Sequence, residues 1–285
     1  MKSFKNYTVV ILCAGKGTRM EDLVKNIPKP LLTLKKFNNK TILEILVEEL
    51  IQIGFETYFI IGGYLKQKLE KQVSKLINKF KSKGIKLKFI DASPDYKLGP
   101  VYSFLSIQKI KNDLDEEDIL LLFPGDTIFE RKLLESLHER INELEENVFD
   151  NPILFYQEHE TFEREKYDDS NDLTIKSFNV IETSNIENFE IITKFEKKSL
   201  KKIQNLRKIK VVIPILILKY GFIHEISKIS KRLKENTIIE ALDVLNKRKF
   251  LKLLAFKIKS SLKYYDLDNK KDLRELEDNS SLKDF

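Results

Sequence analysis

The 285-residue sequence has no tryptophan, one cysteine, two methionines and three histidines. A lone cysteine, Cys13, excludes an internal disulfide framework and a thiolate zinc site. It lies within an apolar segment and reads as a small buried hydrophobe. His138, His159 and His224 are scattered, show no metal-ligand spacing and sit near no serine or cysteine motif. Surface or structural roles are expected for them. No apolar run is long enough to cross a bilayer. Val9–Ala14 is short for a signal peptide and is interrupted by Lys16, and the run from Val211 to Leu218 contains Pro214. A cytoplasmic protein without a membrane partner is expected. The formal net charge of +7 comes mainly from lysines spread along the chain. No basic stripe interleaves with aromatics, so no nucleic-acid partner is expected, whereas small anionic substrates suit this charge. A hydrophobic content of 42% suffices for one large core or two small ones.

Glycine and proline are also few, at 9 and 7 residues, yet four of them fall in one short region. Val9–Ala14 has no polar residue, as expected of a parallel strand covered on both faces. It runs into Gly15-Lys16-Gly17-Thr18-Arg19-Met20, and Pro28-Lys29-Pro30 follows. Gly15 and Gly17 allow left-handed φ values and a close backbone approach to a ligand. Successive N–H groups in such a turn make an anion-binding nest. Arg19 adds a forked donor for phosphate oxygens, and the two prolines restrict the reach of the Lys29 ammonium. A P-loop is excluded because Lys16 precedes a glycine, and a dinucleotide fingerprint because Met20 occupies its third small position.

Strands and helices alternate beyond this turn. Thr41 and Glu44 read as a capping box opening a helix that Gly54 ends. Strands follow at Tyr58–Ile61, Leu87–Ile90 and Ile119–Phe123, separated by a basic helix over 66–83 and a helix over 101–110. This rhythm argues for a parallel sheet with ligands at its carboxyl ends. The last of these strands runs into Gly125-Asp126, either a helix-opening turn or a carboxylate facing the crevice and needing a cation. Later segments read as a helix over 130–146, strands at Ile153–Tyr156, Phe178–Glu182, Glu190–Phe195 and Val211–Leu218, and a helix over 237–245. Residues 160–172 read as a polar loop or lid, and the chain from Leu276 as a charged extension. Tyr265-Asp266-Leu267-Asp268-Asn269 reads either as a strand and helix cap or as a second carboxylate source.

With Gly15, Gly17, Thr18, Arg19, Met20 and Pro28-Lys29-Pro30 at this spacing, the chain resembles the nucleotidyltransferases that make activated sugars and related alcohols. The resemblance implies a Rossmann-like three-layer α/β sandwich with a mixed, mostly parallel central sheet. It implies one domain over 1–275, with a nucleotide half 1–126, an acceptor half 127–275, and a tail 276–285. Ala14, Gly15, Gly17, Thr18, Arg19 and Lys29 would hold the triphosphate, with Arg19, Lys29 and Asp126 catalytic. Asp126 with Asp266 or Asp268 would hold a Mg²⁺ cofactor, a hard cation favouring oxygen ligands. Gly63, Gly99 and Ser103 would lie near the nucleotide, and Glu196 and Lys197 would bind the acceptor. Tyr102-Ser103-Phe104 and Asp266-Leu267-Asp268 are similar to the branch acting on phosphocholine. The implied partners are a nucleoside triphosphate and a phosphorylated small molecule, with a homo-oligomer possible. The implied reaction is transfer of a nucleotidyl group to a sugar 1-phosphate. Alternatives are a cytidylyltransferase for a phospho-alcohol and a non-catalytic regulatory subunit of the same fold. No hexapeptide repeat follows the core, so no acyltransferase β-helix is expected.

Overall fold

The computed structural model describes residues 7–160, 177–186, 189–199, 208–233 and 237–278. The apolar runs become the strands of one nine-stranded sheet. Its first half comprises β1 (Tyr7–Cys13), β4 (Thr57–Gly62), β5 (Lys86–Asp91) and β6 (Ile119–Pro124), in the order β5-β4-β1-β6, all parallel. Alternate residues serve both faces. Val9, Ile11 and Cys13 point into one apolar layer, while Val10 points into the other. The first layer is completed by α1 (Ile42–Ile53), α2 (Lys66–Phe80) and α4 (Arg131–Glu143). The second is completed by α3 (Pro100–Leu105), α5 (Ile223–Leu233) and α6 (Ile238–Lys247). Helices on both faces of a sheet give the three-layer sandwich. Each fully buried Leu, Ile or Phe in these layers stabilises it by about 1.5–3 kcal/mol.

The second half of the sheet departs from the expected parallel character. It contains β8 (Ile153–His159), β9 (Ser177–Ile186), β10 (Phe189–Ser199), β11 (Ile209–Lys219) and β12 (Leu254–Ile258). Among the described residues only the β8–β12 pairing in this half is parallel. The β6–β11, β11–β8, β12–β10 and β10–β9 pairings are antiparallel. The sheet is therefore mixed without being mostly parallel, because β10 and β11 each run antiparallel to the strands they pair with.

The edges of β11 position the acceptor half. β8 runs along one edge of β11 from Ile209 to Ile217. On the other edge, β6 pairs with Leu216–Lys219 and β9 with Lys210 and Val211. Hence β9 continues the line of β6 beyond its carboxyl end. The pairings β11–β8–β12–β10–β9–β11 close into a ring.

Local differences from the sequence reading have simple causes. Thr41 does cap α1, accepting from the Glu44 N–H at 3.1 Å, but the Glu44 carboxylate turns to Lys79. The complete capping box is at Thr237 and Glu240, at the start of α6. Gly54 ends α1 with φ 112° as expected. The helix at 101–110 is α-helical only to Leu105 and then tightens to 3-10 geometry through Asp113. The sequence reading missed β12, and three further strands escaped it because they are short. They are β2 (Thr33–Leu34) and β3 (Lys40–Thr41), which pair with each other, and β7 (Thr127–Phe129). The strand β13 (Tyr264–Asp266) pairs antiparallel with β7. Leu276, the expected first residue of an extension, is instead buried in α7 (Lys270–Asp278). The expected polar loop from 161 onward and residues 279–285 lie outside the described residues. No described helix is long and apolar enough to cross a membrane.

Candidate active site

β1 delivers the glycine turn to the carboxyl edge of the sheet. Ala14 is buried, while Gly15, Lys16, Thr18 and Arg19 face solvent. Gly17 is left-handed at φ 63°, and its carbonyl accepts from the Met20 N–H at 2.9 Å to start a 3-10 turn over Thr18–Val24. A Cβ there would stand 3.4 Å from Lys29 Cβ, an ordinary contact, so it is the left-handed backbone that calls for glycine at Gly17. Gly15, expected to share this conformation, does not have positive φ, and a Cβ on it would meet nothing within 4 Å.

Lys29 forms a 3-10 turn with Pro30 and Leu31 and is only 5% exposed. Its Nζ donates to Asp126 Oδ2 at 2.6 Å and lies 3.7 Å from Asp268 Oδ1. The other oxygen of Asp268 accepts from Arg19 Nη1 at 2.8 Å. Burial alone would lower the Lys29 pKa. The charge and hydrogen bond of Asp126, with Asp266 and Asp268 behind, outweigh burial and raise it. Lys29 is thus a permanently charged ammonium between acids. The same field acts on Cys13, whose thiol is pushed well up by burial first and by Asp126 second. An unionised thiol is unreactive, consistent with a packing role.

Residues 126 and 266 are brought together by the β7–β13 pairing, which sets Asp266 opposite Thr127. The Leu267 N–H reaches the Asp126 carbonyl at 3.4 Å. The next residues cap α7. Asn269 Oδ1 accepts from the Lys271 and Asp272 N–H groups, while Asp272 Oδ2 accepts from the Asp268 and Asn269 N–H groups. Asn269 therefore performs the structural capping, and the Asp268 carboxylate is left for the cations. A separate apolar cluster of Met20, Val24, Leu32, Leu34, Ile42, Ile45, Ile128, Leu267 and Leu276 lies beneath the site. Met20 follows Arg19, Ile128 comes two residues after Asp126, and Leu267 separates the two acids. Each charged group thus stands beside a buried anchor in the sequence. These anchors carry no distinctive motif, and the sequence reading missed their common role.

The remaining expected residues occupy two other places. Gly63 follows β4, and a Cβ on it would lie 2.5 Å from the ring of Tyr96, which packs across it. Gly99, at φ 132°, precedes α3, and Ser103 is buried with its hydroxyl 3.4 Å from the Gly99 carbonyl. The Tyr102 hydroxyl donates to the Ser230 carbonyl at 3.0 Å and Phe104 is fully buried, so these two residues dock α3 onto the second apolar layer. Glu196 and Lys197 lie on β10, opposite Val180 and Asn179 of β9. The register of β9 on β11 places this hairpin past the carboxyl end of β6. Glu196 is bonded by Lys198 and Lys194, each at 3.0 Å, and these hold its carboxyl below the ordinary glutamate range. No ion pair joins Glu196 to Lys29 or Arg19 among the described residues.

The donor set suits a hard divalent cation. Asp126 and Asp268 offer carboxylate oxygens, and the Lys29 ammonium between them shows that the pair accommodates positive charge. Mg²⁺ characteristically takes one or two carboxylates and completes its shell with phosphate and water. No cluster of three or more acidic, cysteine or histidine ligands occurs among the described residues.

Gly125 fixes how closely Asp126 approaches β1. Its N–H donates to the Leu12 carbonyl at 2.9 Å, and a Cβ would stand 2.2 Å from Cys13 Sγ and 3.1 Å from the Leu12 oxygen. Gly125→Ala is expected to cost about 1–3 kcal/mol by overpacking. Adding Cys13→Ala should restore part of that loss. Equal stability of Gly125→Ala with and without the Cys13 change, in urea unfolding, would place the strain elsewhere.

Comparison with known proteins agrees with this geometry. The chain is 33% identical over 147 residues to the bifunctional protein GlmU of Methanococcus aeolicus, covering 51% of this chain and 31% of that protein. It is 34% identical over 105 residues to the choline-phosphate cytidylyltransferase of Streptococcus pneumoniae, covering 37% of this chain and 39% of that one. The matches thus span well under half the length of these relatives. A UDP-glucose pyrophosphorylase complexed with UDP-glucose superposes with a TM-score of 0.67 at 19% identity, covering 95% of this chain and 97% of that one. The CTP:phosphocholine cytidylyltransferase from Streptococcus pneumoniae does so with a TM-score of 0.59 at 20% identity, covering 95% and 98%. These superpositions show a shared α/β fold. Arg19, Lys29 and Asp126 all lie within residues 9–162, the stretch matching the model of the MobA-like NTP transferase domain, and by that match the chain belongs to this family.

Proposed function

We propose that this chain transfers a nucleotidyl group from a nucleoside triphosphate to a sugar 1-phosphate, with Mg²⁺ as cofactor. The observation carrying the reading is the buried Lys29, held between Asp126 and Asp268 at the carboxyl end of β6, with Arg19 on its outer side. An oxygen of the acceptor phosphate attacks the α-phosphorus. The bond from that phosphorus to the β-phosphate bridging oxygen breaks, and pyrophosphate leaves. The nucleophile is already an anion, so no general base is required, and positioning and charge neutralisation suffice.

Lys29 offsets charge on the α-phosphoryl group, its ammonium fixed by burial and by its acids. Arg19, 58% exposed at the edge of the glycine turn, has the reach to meet the departing pyrophosphate. Asp126 and Asp268 would hold the metal, which when bound neutralises charge on the phosphates. Which of Asp266 and Asp268 serves is proposed from position. Asp268 accepts from Arg19 and stands 3.7 Å from Lys29, and Asp266 also acts on Lys29 through its charge. Glu196 and Lys197 would take the acceptor from the β9–β10 side.

A second reading, cytidylyl transfer to a phospho-alcohol such as phosphocholine or inositol phosphate, draws on the same acid pair. Asp266 and Asp268 both contribute to the field at Lys29, and a relative of this chain bears the name choline-phosphate cytidylyltransferase. One assay separates the readings. Pyrophosphate release is measured with Mg²⁺ while nucleoside triphosphates are crossed against hexose 1-phosphates, phosphocholine and inositol phosphate. Release with one hexose 1-phosphate, lost on chelation, is the expected result. Release with phosphocholine or inositol phosphate would favour the second reading. Triphosphate binding with no release from any pair would leave a regulatory subunit as the better account.

A further inference from the structure

A second polar cluster lies in the ring of strands, apart from Lys29 and its acids. Glu190, at the start of β10, accepts from Tyr156 of β8 at 2.6 Å through one carboxylate oxygen. Its other oxygen accepts from Thr183 of β9 at 2.6 Å and from the Lys210 ammonium of β11 at 2.5 Å. Lys210 also donates to the Thr183 hydroxyl at 2.6 Å and stands 4.8 Å above the Tyr156 ring. One carboxylate thus ties four strands of the ring together. Burial would raise the Glu190 pKa, but its bonds from Lys210, Thr183 and Tyr156 outweigh this and hold it below the ordinary glutamate range.

The course of β10 gives this cluster its consequence. Glu190 and Ile191 pair with β12, and the register shifts between Ile192 and Lys194. Beyond that shift, the described pairings of β10 are all with β9. The distal part carries Phe195, Glu196 and Lys197, so its position follows from where β9 sits. Among the described residues, the ladder between β9 and β11 runs only through Val180 and Ile181. On one side this contact is supported by a small apolar cluster of Val180, Ile209, Val211 and Phe178. The Glu190 network is the polar support, and its ion pair and three-way hydrogen bonding are directional where apolar contact is not.

We infer that Glu190 is a positioning residue that sets the acceptor-facing hairpin over the carboxyl end of β6 by joining Tyr156, Thr183 and Lys210. The inference rests on the proposed acceptor role of Glu196 and Lys197 for its kinetic consequence, though not for its structural one. Glu190 meets no reacting atom; it acts through the placement of β10. Its loss should weaken acceptor binding selectively, because the triphosphate turn on β1 belongs to the other half of the sheet.

The test uses the full chain as wild type, Glu190→Gln and Tyr156→Phe. Glutamine keeps the shape while removing the charge that holds Lys210, and phenylalanine removes one hydrogen bond while leaving the ion pair. Amide exchange at residues 180–183 and 194–199 is compared with exchange in β1 and β6. Steady-state constants are measured for both substrates with whichever pair the panel identifies. Glu190→Gln is expected to speed exchange in the hairpin about tenfold with β1 and β6 unchanged, consistent with loss of a charge-assisted bond. The acceptor KM should rise about tenfold while the triphosphate KM stays within about twofold, as expected when one binding contact is misplaced. Tyr156→Phe should shift both readouts in the same direction by a smaller factor. Unchanged hairpin exchange in both variants overturns the proposal, as does an equal rise in both KM values. If wild type turns over no pair, the functional reading fails, and the exchange comparison alone decides whether Glu190 holds the hairpin.

Discussion

Asp126→Asn should lower pyrophosphate release by at least about a hundredfold to a thousandfold, the range typical for loss of one preorganised electrostatic group. Asparagine nearly matches the side-chain shape and removes only the charge. Two functions end together. The amide oxygen is a poor ligand for Mg²⁺, and Lys29 loses the partner at 2.6 Å that holds its ammonium in place. Asp268, 3.7 Å away, remains to balance the lysine. The cost in stability should therefore stay below the roughly 3–5 kcal/mol seen when a fully buried pair is broken, all the more because the Asp126 side chain is 32% exposed. Thermal unfolding and turnover measured on the same preparation separate the two effects. Turnover within tenfold of wild type would remove Asp126 from the mechanism.

Leu267→Ala is expected to cost about 2–5 kcal/mol of stability, the range for deleting a buried leucine that leaves a cavity. Leu267 is fully buried among Met20, Ile128 and Leu276, between the two acids it separates in sequence. The cavity would open beneath Asp266 and Asp268, at the β13–α7 corner. Turnover should fall at temperatures well below the unfolding transition, because a small displacement of either acid weakens the bonds to Arg19 and Lys29. Urea unfolding checks the first effect, and pyrophosphate release at a temperature where the variant is folded checks the second. A destabilised variant with wild-type turnover would show that hydrogen bonding of the α7 cap, and not the apolar cluster, places the acids.

The two experiments address parts of the site with different origins. Arg19 and Lys29 were legible as two cations beside the glycine turn because local backbone chemistry determines them. A strand of apolar residues, a left-handed glycine and a lysine between prolines mean much the same in any chain that contains them. The α1 cap at Thr41 and the stop at Gly54 were legible for the same reason. The partner of Glu44 was not, because Lys79 reaches it from another helix. The strands of the second half other than β12 were found from their apolar runs, yet their mostly antiparallel pairing was not. A continuous apolar run reports burial on both faces and says nothing of the neighbour's direction. Both glycines allow a left-handed backbone, but of the two only Gly17 adopts it.

What the sequence determined by itself was the glycine turn, the β-α alternation and the identity of the charged groups. These depend on residues a few positions apart, whose preferred conformations follow from sterics and hydrogen bonding within the segment. The tertiary structure decided which charges meet. Asp126 and Asp268 flank Lys29 because β7 pairs with β13 and because Met20, Ile128 and Leu267 share one apolar cluster. The tertiary structure also decided where the hairpin bearing Glu196 and Lys197 lies, through the far edge of β11 and the Glu190 network. Such contacts join segments more than a hundred residues apart in one case and across a bulged hairpin in the other. Their free energy comes from shape and burial that exist only once the chain has folded.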